Sequence, residues 1–303
     1  MTTAPVLADA LGPRGRRRVA VASVVTGAAI AGLVAVAVLR LADKGQLDRA
    51  QWEPLTRWSV VRFLLGGLGN TLKAAAAAMV VAMVVGALLA LGRLARASPV
   101  RYLAGAWVEF FRATPLILLI LFSALALPRY GLHLSVFWYL VLALVAYNGS
   151  ILAEIFRSGI LSLDRGQSEA AFALGLGYWQ TMLAVVIPQA ARRMVPAIVS
   201  QLVTLLKDTS LGYVITYEEL LRRSRSTGEF FHDPLQAVAF VALMYVIVNF
   251  TLSRIASRLE VRQRRRYRAG ALGVTGVEDL AVVDAHGDAA TTAKPTARAP
   301  RRR

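Results

Sequence analysis

The chain has 303 residues, 56% of them hydrophobic and 17% charged, with a mean hydropathy of +0.54 and no cysteine. This composition excludes a disordered chain, a disulfide scaffold and thiolate chemistry of any kind, and folding alone cannot hide so much apolar surface from water. The net charge of +17 would suit a nucleic-acid binder. The arginines, however, bunch at the two ends and between long apolar runs, the pattern of helices anchored against an anionic cytoplasmic leaflet, so lipid rather than nucleic acid is the expected partner.

About 20 apolar residues cross a hydrocarbon core roughly 30 Å thick. The first apolar run, Val19 to Leu39, follows Arg14, Arg16, Arg17 and Arg18. It is too long for a typical signal-peptide core and reads as an uncleaved signal anchor with its amino end inside. A second span runs roughly from Phe63 to Leu91, longer than needed and so tilted or partly outside. Trp107 to Leu127 gives the third, ended by Pro128, and about Leu134 to Phe156 the fourth. A fifth starts near Val195, and Leu235 to Ile255 supplies the sixth. This predicts an all-α polytopic membrane protein with both termini cytoplasmic.

On that topology Arg93, Arg96, Arg101, Arg157, Arg165, Arg192 and Arg193 lie inside, with the arginines from Arg254 to Arg268. Lys44, Arg49, Arg57, Arg222, Arg223 and Arg225 would lie outside, so the termini carry most of the bias. The expected organisation is a basic cytoplasmic segment (1–18), an additional helix (19–41), an external loop (42–62), a polytopic membrane domain (63–257) and a basic, disordered cytoplasmic tail (258–303).

The loop between spans four and five is the most informative stretch. Asp164 with Gln167 three residues later has the form of a capping box, and Glu169 sits early, where the helix dipole favours a carboxylate. Ala170, Ala171 and Ala173 favour helix with little bulk; Gly175 and Gly177 can take positive φ and stop it. A second short helix from about Tyr178 to Val185 then runs into Pro188. Two short helices set at an angle by a glycine corner make a compact knob that a partner's groove can accept. A plain surface loop with two helical turns is the alternative.

Glu169-Ala170-Ala171, then Gly175, then Val185-x-Ile187-Pro188 resembles the EAA loop of bacterial ABC importer permeases, with Val and Ile where the general pattern has Ile and Leu. Glu109-Phe110-Phe111-Arg112-Ala113-Thr114-Pro115-Leu116 resembles a second signature of the polar amino-acid branch. Ala146-Tyr147 with Glu154, Arg157, Gly159 and Ile160, then Gly166-Gln167, Pro188-Gln189-Ala190 and Lys207-Asp208-Thr209-Ser210-Leu211, complete an ordered set over about residues 66–257.

The resemblance implies a type I importer permease fold and a subunit without a nucleotide site. Consistently, no G-x-x-x-x-G-K-[ST] occurs, so ATP and magnesium would be used by a partner ATPase and no cofactor held by this chain. It also implies a second permease subunit, identical or paralogous, and an external substrate-binding protein. Gln167, Glu169, Ala170, Ala171, Gly175, Gly177 and Pro188 would couple the chain to the ATPase. The additional helix, long basic tail and Ala/Arg-rich composition look most like glutamate permease subunits of high-GC Gram-positive bacteria. Glutamate is therefore the leading substrate, with glutamine, another polar amino acid or cystine left open.

Among polar residues at membrane depth, Glu109 with Arg112 and Glu154 with Arg157 are spaced to pair on helix faces near the cytoplasmic edge. A charge-balanced helix end explains both; Arg112, just before Thr114 and Pro115, has a second reading at an inner gate. From Val195 to Leu206 a helix would measure roughly 18 Å, too short to cross, which puts Lys207, Asp208, Thr209 and Ser210 within the outer half of the membrane. A substrate path or gate is the first reading there, a structural ion pair at a subunit interface the second, and a simple helix end the third. Asn70 and Thr71 could face the same cavity, although close packing through Gly86 and Ala87 serves as well. The stretch Glu218 to Arg223 reads as an amphipathic, solvated outer face. His133, His232 and His286 are scattered, and no metal site is expected.

The alternative function is an ion-coupled secondary amino-acid transporter, which would show ionisable residues buried mid-span and internal symmetry; neither is evident. A membrane enzyme would need a nucleophile–base pair or a metal cluster, which the sequence does not offer.

Overall fold

The computed structural model describes residues 12–255 and residue 258; residues 1–11 of the basic amino-terminal segment, and the 258–303 tail with His286 apart from Arg258 itself, lie outside the described residues. Regular structure among the described residues is helical, without strands. The order is α1 (Pro13–Asp43), α2 (Arg49–Thr56), α3 (Trp58–Leu94), α4 (Ser98–Ala113) and α5 (Leu116–Ala126), which tightens into a 3₁₀ turn at Leu127–Tyr130. Then come α6 (Val136–Leu161), α7 (Arg165–Ala173), α8 (Tyr178–Thr181), α9 (Ile187–Asp208), a 3₁₀ segment Thr209–Ile215, α10 (Leu220–Phe231) and α11 (Pro234–Ile255). Five helical segments are long and apolar enough to cross a membrane: α1, α3, α6, Tyr178–Ile215 and α11. A sixth is added if α4 and Leu116–Tyr130, bent by 101°, count as one.

Two spans differ from the expectation. The third is not a straight helix from Trp107 to Leu127. Pro115 lacks an N–H and disfavours helical backbone at Thr114, whose ψ is 128°, so α4 ends there and α5 leaves at the sharp angle. The fifth does not begin near Val195. Helix α9 starts at Ile187 and runs 22 residues, about 33 Å, so Lys207 and Asp208 end a full-length helix instead of interrupting a short one.

Contacts divide the described residues into two compact units, one of 12–67 with 220–242, the other of 68–219 with 243–255. In the first, no residue of α1 is buried. Gln236 is buried and donates to the Gln46 carbonyl at 2.9 Å, an oxygen that also accepts from Trp52 Nε1 at 3.1 Å. Arg223 donates to the Phe63 carbonyl at 2.6 Å and stacks over the Phe63 ring, so this part of the expected solvated face is engaged.

The second unit holds the main core: Ala74, Ala78 and Ala82 of α3, Leu119 and Ile120 of α5, Leu140, Leu144 and Leu152 of α6, and Leu205 and Leu206 of α9. Small residues let the backbones approach. A Cβ at Gly86 would stand 2.8 Å from Leu152 Cβ and 2.9 Å from the Gly149 carbonyl oxygen. Gly86 is thus a packing residue, whereas Ala87 is exposed.

Candidate functional site

The loop between α6 and α9 folds as a knob. Asp164 caps α7, its Oδ1 accepting from Gly166 N at 2.9 Å. The expected capping box is only half formed, because Gln167 does not reach back; its side-chain oxygen instead accepts from Gln189 Nε2 at 3.2 Å, tying α7 to α9. Helix α7 ends in a Schellman motif: Leu176 N donates to the Ala171 carbonyl at 3.2 Å and Gly175 N to that of Phe172 at 2.9 Å. Gly175 has φ +81°, the left-handed conformation that glycine adopts without cost. Gly177 does not take positive φ; at −69° it caps α8, its N–H donating to Gln180 Oε1 at 2.8 Å.

Pro188 does not stop the chain of helices. A π turn at Met182–Val186 links α8 to α9, and its wider ring accommodates the proline that would otherwise clash with the preceding turn. Ala171 is buried as the knob's inner anchor, while Glu169 and Ala170 are exposed. So are four large apolar side chains: Phe172 at 47%, Leu174 at 84%, Trp179 at 66% and Leu183 at 63%. That is a concentrated apolar surface for so small a feature.

Next to the knob, Glu154 accepts from Arg157 Nη2 at 2.6 Å and also pairs with Arg93 at the end of α3. The Glu154–Arg157 pair was legible from spacing; its third member was not. Glu109 and Arg112, by contrast, form no salt bridge among the described residues; both are exposed on α4. Arg193 Nη1 donates to the Ser162 carbonyl at 2.8 Å, closing α9 onto the end of α6.

At mid-length of α6 lies a polar group that sequence reasoning missed. Asn148 is fully buried; its Oδ1 accepts from Gln201 Nε2 of α9 at 2.6 Å and its Nδ2 donates to the Leu144 carbonyl at 3.0 Å. The Asn148 amide also faces the Asp208 carboxylate, two turns beyond Gln201 on α9. Asp208 Oδ2 is buried without a hydrogen-bond partner among the described residues. Lys207 is exposed and forms no ion pair with its neighbour. Thr209 is buried, bonded to the Leu206 carbonyl at 2.7 Å, and Ser210 returns its hydroxyl to Lys207 at 2.7 Å. Lone amides within apolar runs were the signal that could have pointed to Asn148 and Gln201.

Asn70 is committed elsewhere: its Nδ2 donates to the Glu218 carbonyl at 2.8 Å, and its own carbonyl accepts from Tyr217 Oη at 3.0 Å. Burial first, then the Glu219 charge, pushes the Tyr217 phenol above its ordinary range and keeps it a donor. Thr71 is buried beside Asn70. Glu219 is not solvated as expected but fully buried, accepting from Tyr245 Oη at 2.8 Å. Thr114 bonds its hydroxyl to the Phe110 carbonyl at 2.8 Å, at the α4–α5 bend. No cluster of metal-ligating side chains occurs among the described residues.

Apolar helices long enough to span, with a knob between two of them, define a polytopic membrane protein. The family model described as "Binding-protein-dependent transport system inner membrane component" matches residues 82–265, and the chain belongs to that family. It is 40% identical to the glutamate transport system permease protein GluD of Corynebacterium glutamicum over 235 residues, 76% of this chain and 85% of that one. It is 42% identical to the probable glutamine ABC transporter permease protein GlnP of Bacillus subtilis over 207 residues, 66% of this chain and 94% of that one. Among solved structures, an amino acid ABC transporter crystallised with histidines matches with TM-score 0.64 and 29% identity, over 67% of this chain and 94% of that one. The fold is therefore that of type I ABC importer permeases. The chain is an amino-acid ABC importer permease subunit of the plasma membrane, not an enzyme; ATP hydrolysis belongs to separate subunits.

Proposed function

We propose that this chain carries a polar amino acid, glutamate in the first place, across the plasma membrane, with both termini cytoplasmic and the α7–α8 knob seated on an ATPase subunit. The observation that carries the coupling reading is the knob itself. Its inner face is anchored by Ala171 and Gln167, its corner is set by the left-handed Gly175, and it presents Phe172, Leu174, Trp179 and Leu183 outward. A rigid body with an apolar outer surface suits docking into a partner groove. Gln167, Glu169, Ala170, Ala171, Gly175, Gly177 and Pro188 build or border it. The ATPase would use ATP and magnesium; a second permease subunit and an external binding protein would complete the assembly.

Glutamate is favoured by the names of relatives: GluD, and the glutamate/aspartate import permease GltK of Escherichia coli at 36% identity over 208 residues. For the path we keep Lys207, Asp208, Thr209 and Ser210, with Arg112 and Thr114 at the α4–α5 bend. Asn70 and Thr71 act in packing. Asp208 leads, because a buried carboxylate oxygen without a partner is costly unless a ligand meets it. The test is uptake of labelled glutamate by the assembly reconstituted with its ATPase and binding protein, in competition with glutamine, aspartate and cystine. ATP-dependent uptake blocked best by unlabelled glutamate is expected. Stronger competition by another amino acid overturns the substrate, and ATP-independent uptake overturns the coupling.

A further inference from the structure

We propose that Arg96, at the corner between α3 and α4, is a positioning residue for transport. Its guanidinium holds the Tyr178 ring of the knob and so delivers the knob's displacement to α4 and the Thr114–Pro115 bend. This rests on the coupling reading above and adds a second route out of the knob, beside the one along α9.

The two arms of the knob are tied to different spans. Helix α7 is tied to α9, where Gln167 accepts from Gln189 at 3.2 Å. Helix α8 is tied to the α3–α4 corner, where the guanidinium carbon of Arg96 lies over the Tyr178 ring, 5.4 Å from its centroid. Other stacked arginines, Arg101 over Tyr102 and Arg254 over Phe250, only cover neighbours on their own helices. The Arg96–Tyr178 contact is tertiary. Arg93, three residues earlier, is taken up by Glu154 of α6, whereas no salt bridge to Arg96 occurs among the described residues.

The corner is built to carry a displacement. Residues 95–97 alone separate α3 from α4. Ala95 N donates to the Gly92 carbonyl at 3.2 Å, and a Cβ at Gly92 would stand 3.0 Å from Ala104 Cβ, so the end of α3 and the start of α4 pack closely. From there α4 runs 16 residues, about 24 Å, to the bend after Ala113. Arginine suits the contact because its planar guanidinium stacks on an aromatic face, which an ammonium cannot do. Arg96 is exposed and Tyr178 is half-exposed, so losing the contact leaves the core intact. A cation over a ring at such a site is worth about two- to fivefold in an equilibrium, which sets the size of the effect.

The test measures amino acid taken up per ATP hydrolysed, in proteoliposomes holding the assembly with its ATPase and binding protein. Arg96→Gln should lower this ratio about two- to fivefold, with the ATPase subunit still bound and the unfolding temperature unmoved. Tyr178→Leu removes the ring but keeps an apolar side chain, and Tyr178→Phe should retain the ratio that it loses. In the Tyr178→Leu background Arg96→Gln should have no further effect. An unchanged ratio in Arg96→Gln overturns the inference. So does an equal loss in both backgrounds, which would make Arg96 a contact of lipid or of the ATPase instead. Failure of the coupling reading is separate: wild-type uptake would then not depend on ATP.

Discussion

Replacement of Gly175 separates backbone geometry from surface crowding at the knob. A Cβ built at Gly175 meets nothing within 4 Å, so any substitution penalty within the chain comes from its φ of +81° alone. An ordinary L-residue in the left-handed region costs roughly 1–2 kcal/mol, a β-branched one more, whereas asparagine tolerates it. At about 1.4 kcal/mol per factor of ten, Gly175→Val should weaken the equilibrium between the native corner and other backbone conformations by at least about tenfold and Gly175→Asn by about threefold or less. Neither should move the unfolding temperature of the assembly, because the corner bears no core contact. The assay is amino acid taken up per ATP hydrolysed in proteoliposomes. The valine variant should take up less amino acid per ATP hydrolysed than wild type, by up to about tenfold, and the asparagine variant should stay near wild type. Equal behaviour refutes the reasoning: if both are intact the corner is irrelevant to coupling, and if both fail the groove senses side-chain bulk and not the backbone.

Gly86→Ala should destabilise by about 1–3 kcal/mol, since its methyl would stand 2.8 Å from Leu152 Cβ and 2.9 Å from a backbone oxygen, while Gly105→Ala, with nothing within 4 Å, should not; thermal unfolding of the purified assembly compares them. Glu154→Gln leaves Arg93 and Arg157 facing each other without their shared carboxylate, and should cost about 1–2 kcal/mol at low salt, partly recovered as salt screens the two arginines. Pro115→Ala restores an N–H and frees Thr114 to become helical, so the 101° bend should open. As the chain has no cysteine, spin labels on single cysteines introduced into α4 and α5 would report a longer distance.

What the sequence made legible was local. The end of α7 was readable because alanines favour helix and Gly175 is the residue a Schellman corner needs, and Asp164 announced the start of α7, where it accepts from Gly166 N. Gln167 misled, because the capping pattern has the same spacing as a residue aimed at α9, and only the tertiary contact with Gln189 decides between them. Pro188 misled for a related reason: proline stops an α-helix, but a π turn before it removes the clash, and nothing in the residue types Met182 to Val186 announces that wider ring. The span arithmetic from Val195 inherited that error and took α9 to be too short to cross. Asn148 and Gln201 are 53 residues apart, and each alone is an unremarked amide in an apolar run.

Once α9 is seen as continuous, the two ends of the candidate site become mechanically related. Gln189 near its start holds the knob through Gln167, Gln201 in its middle is tied to α6 through Asn148, and Asp208 ends it. The helix is also closed onto the end of α6 by Arg193 at Ser162, so α6 and α9 are joined at two heights. On the proposed coupling, two helices joined this way would move together, and a displacement imposed on the knob through Gln189 would reach the end of α9, about 33 Å away. The irregular joints lie elsewhere, at the π turn and at Thr114–Pro115. Bending should therefore concentrate at Thr114–Pro115 and not within the α6–α9 pair.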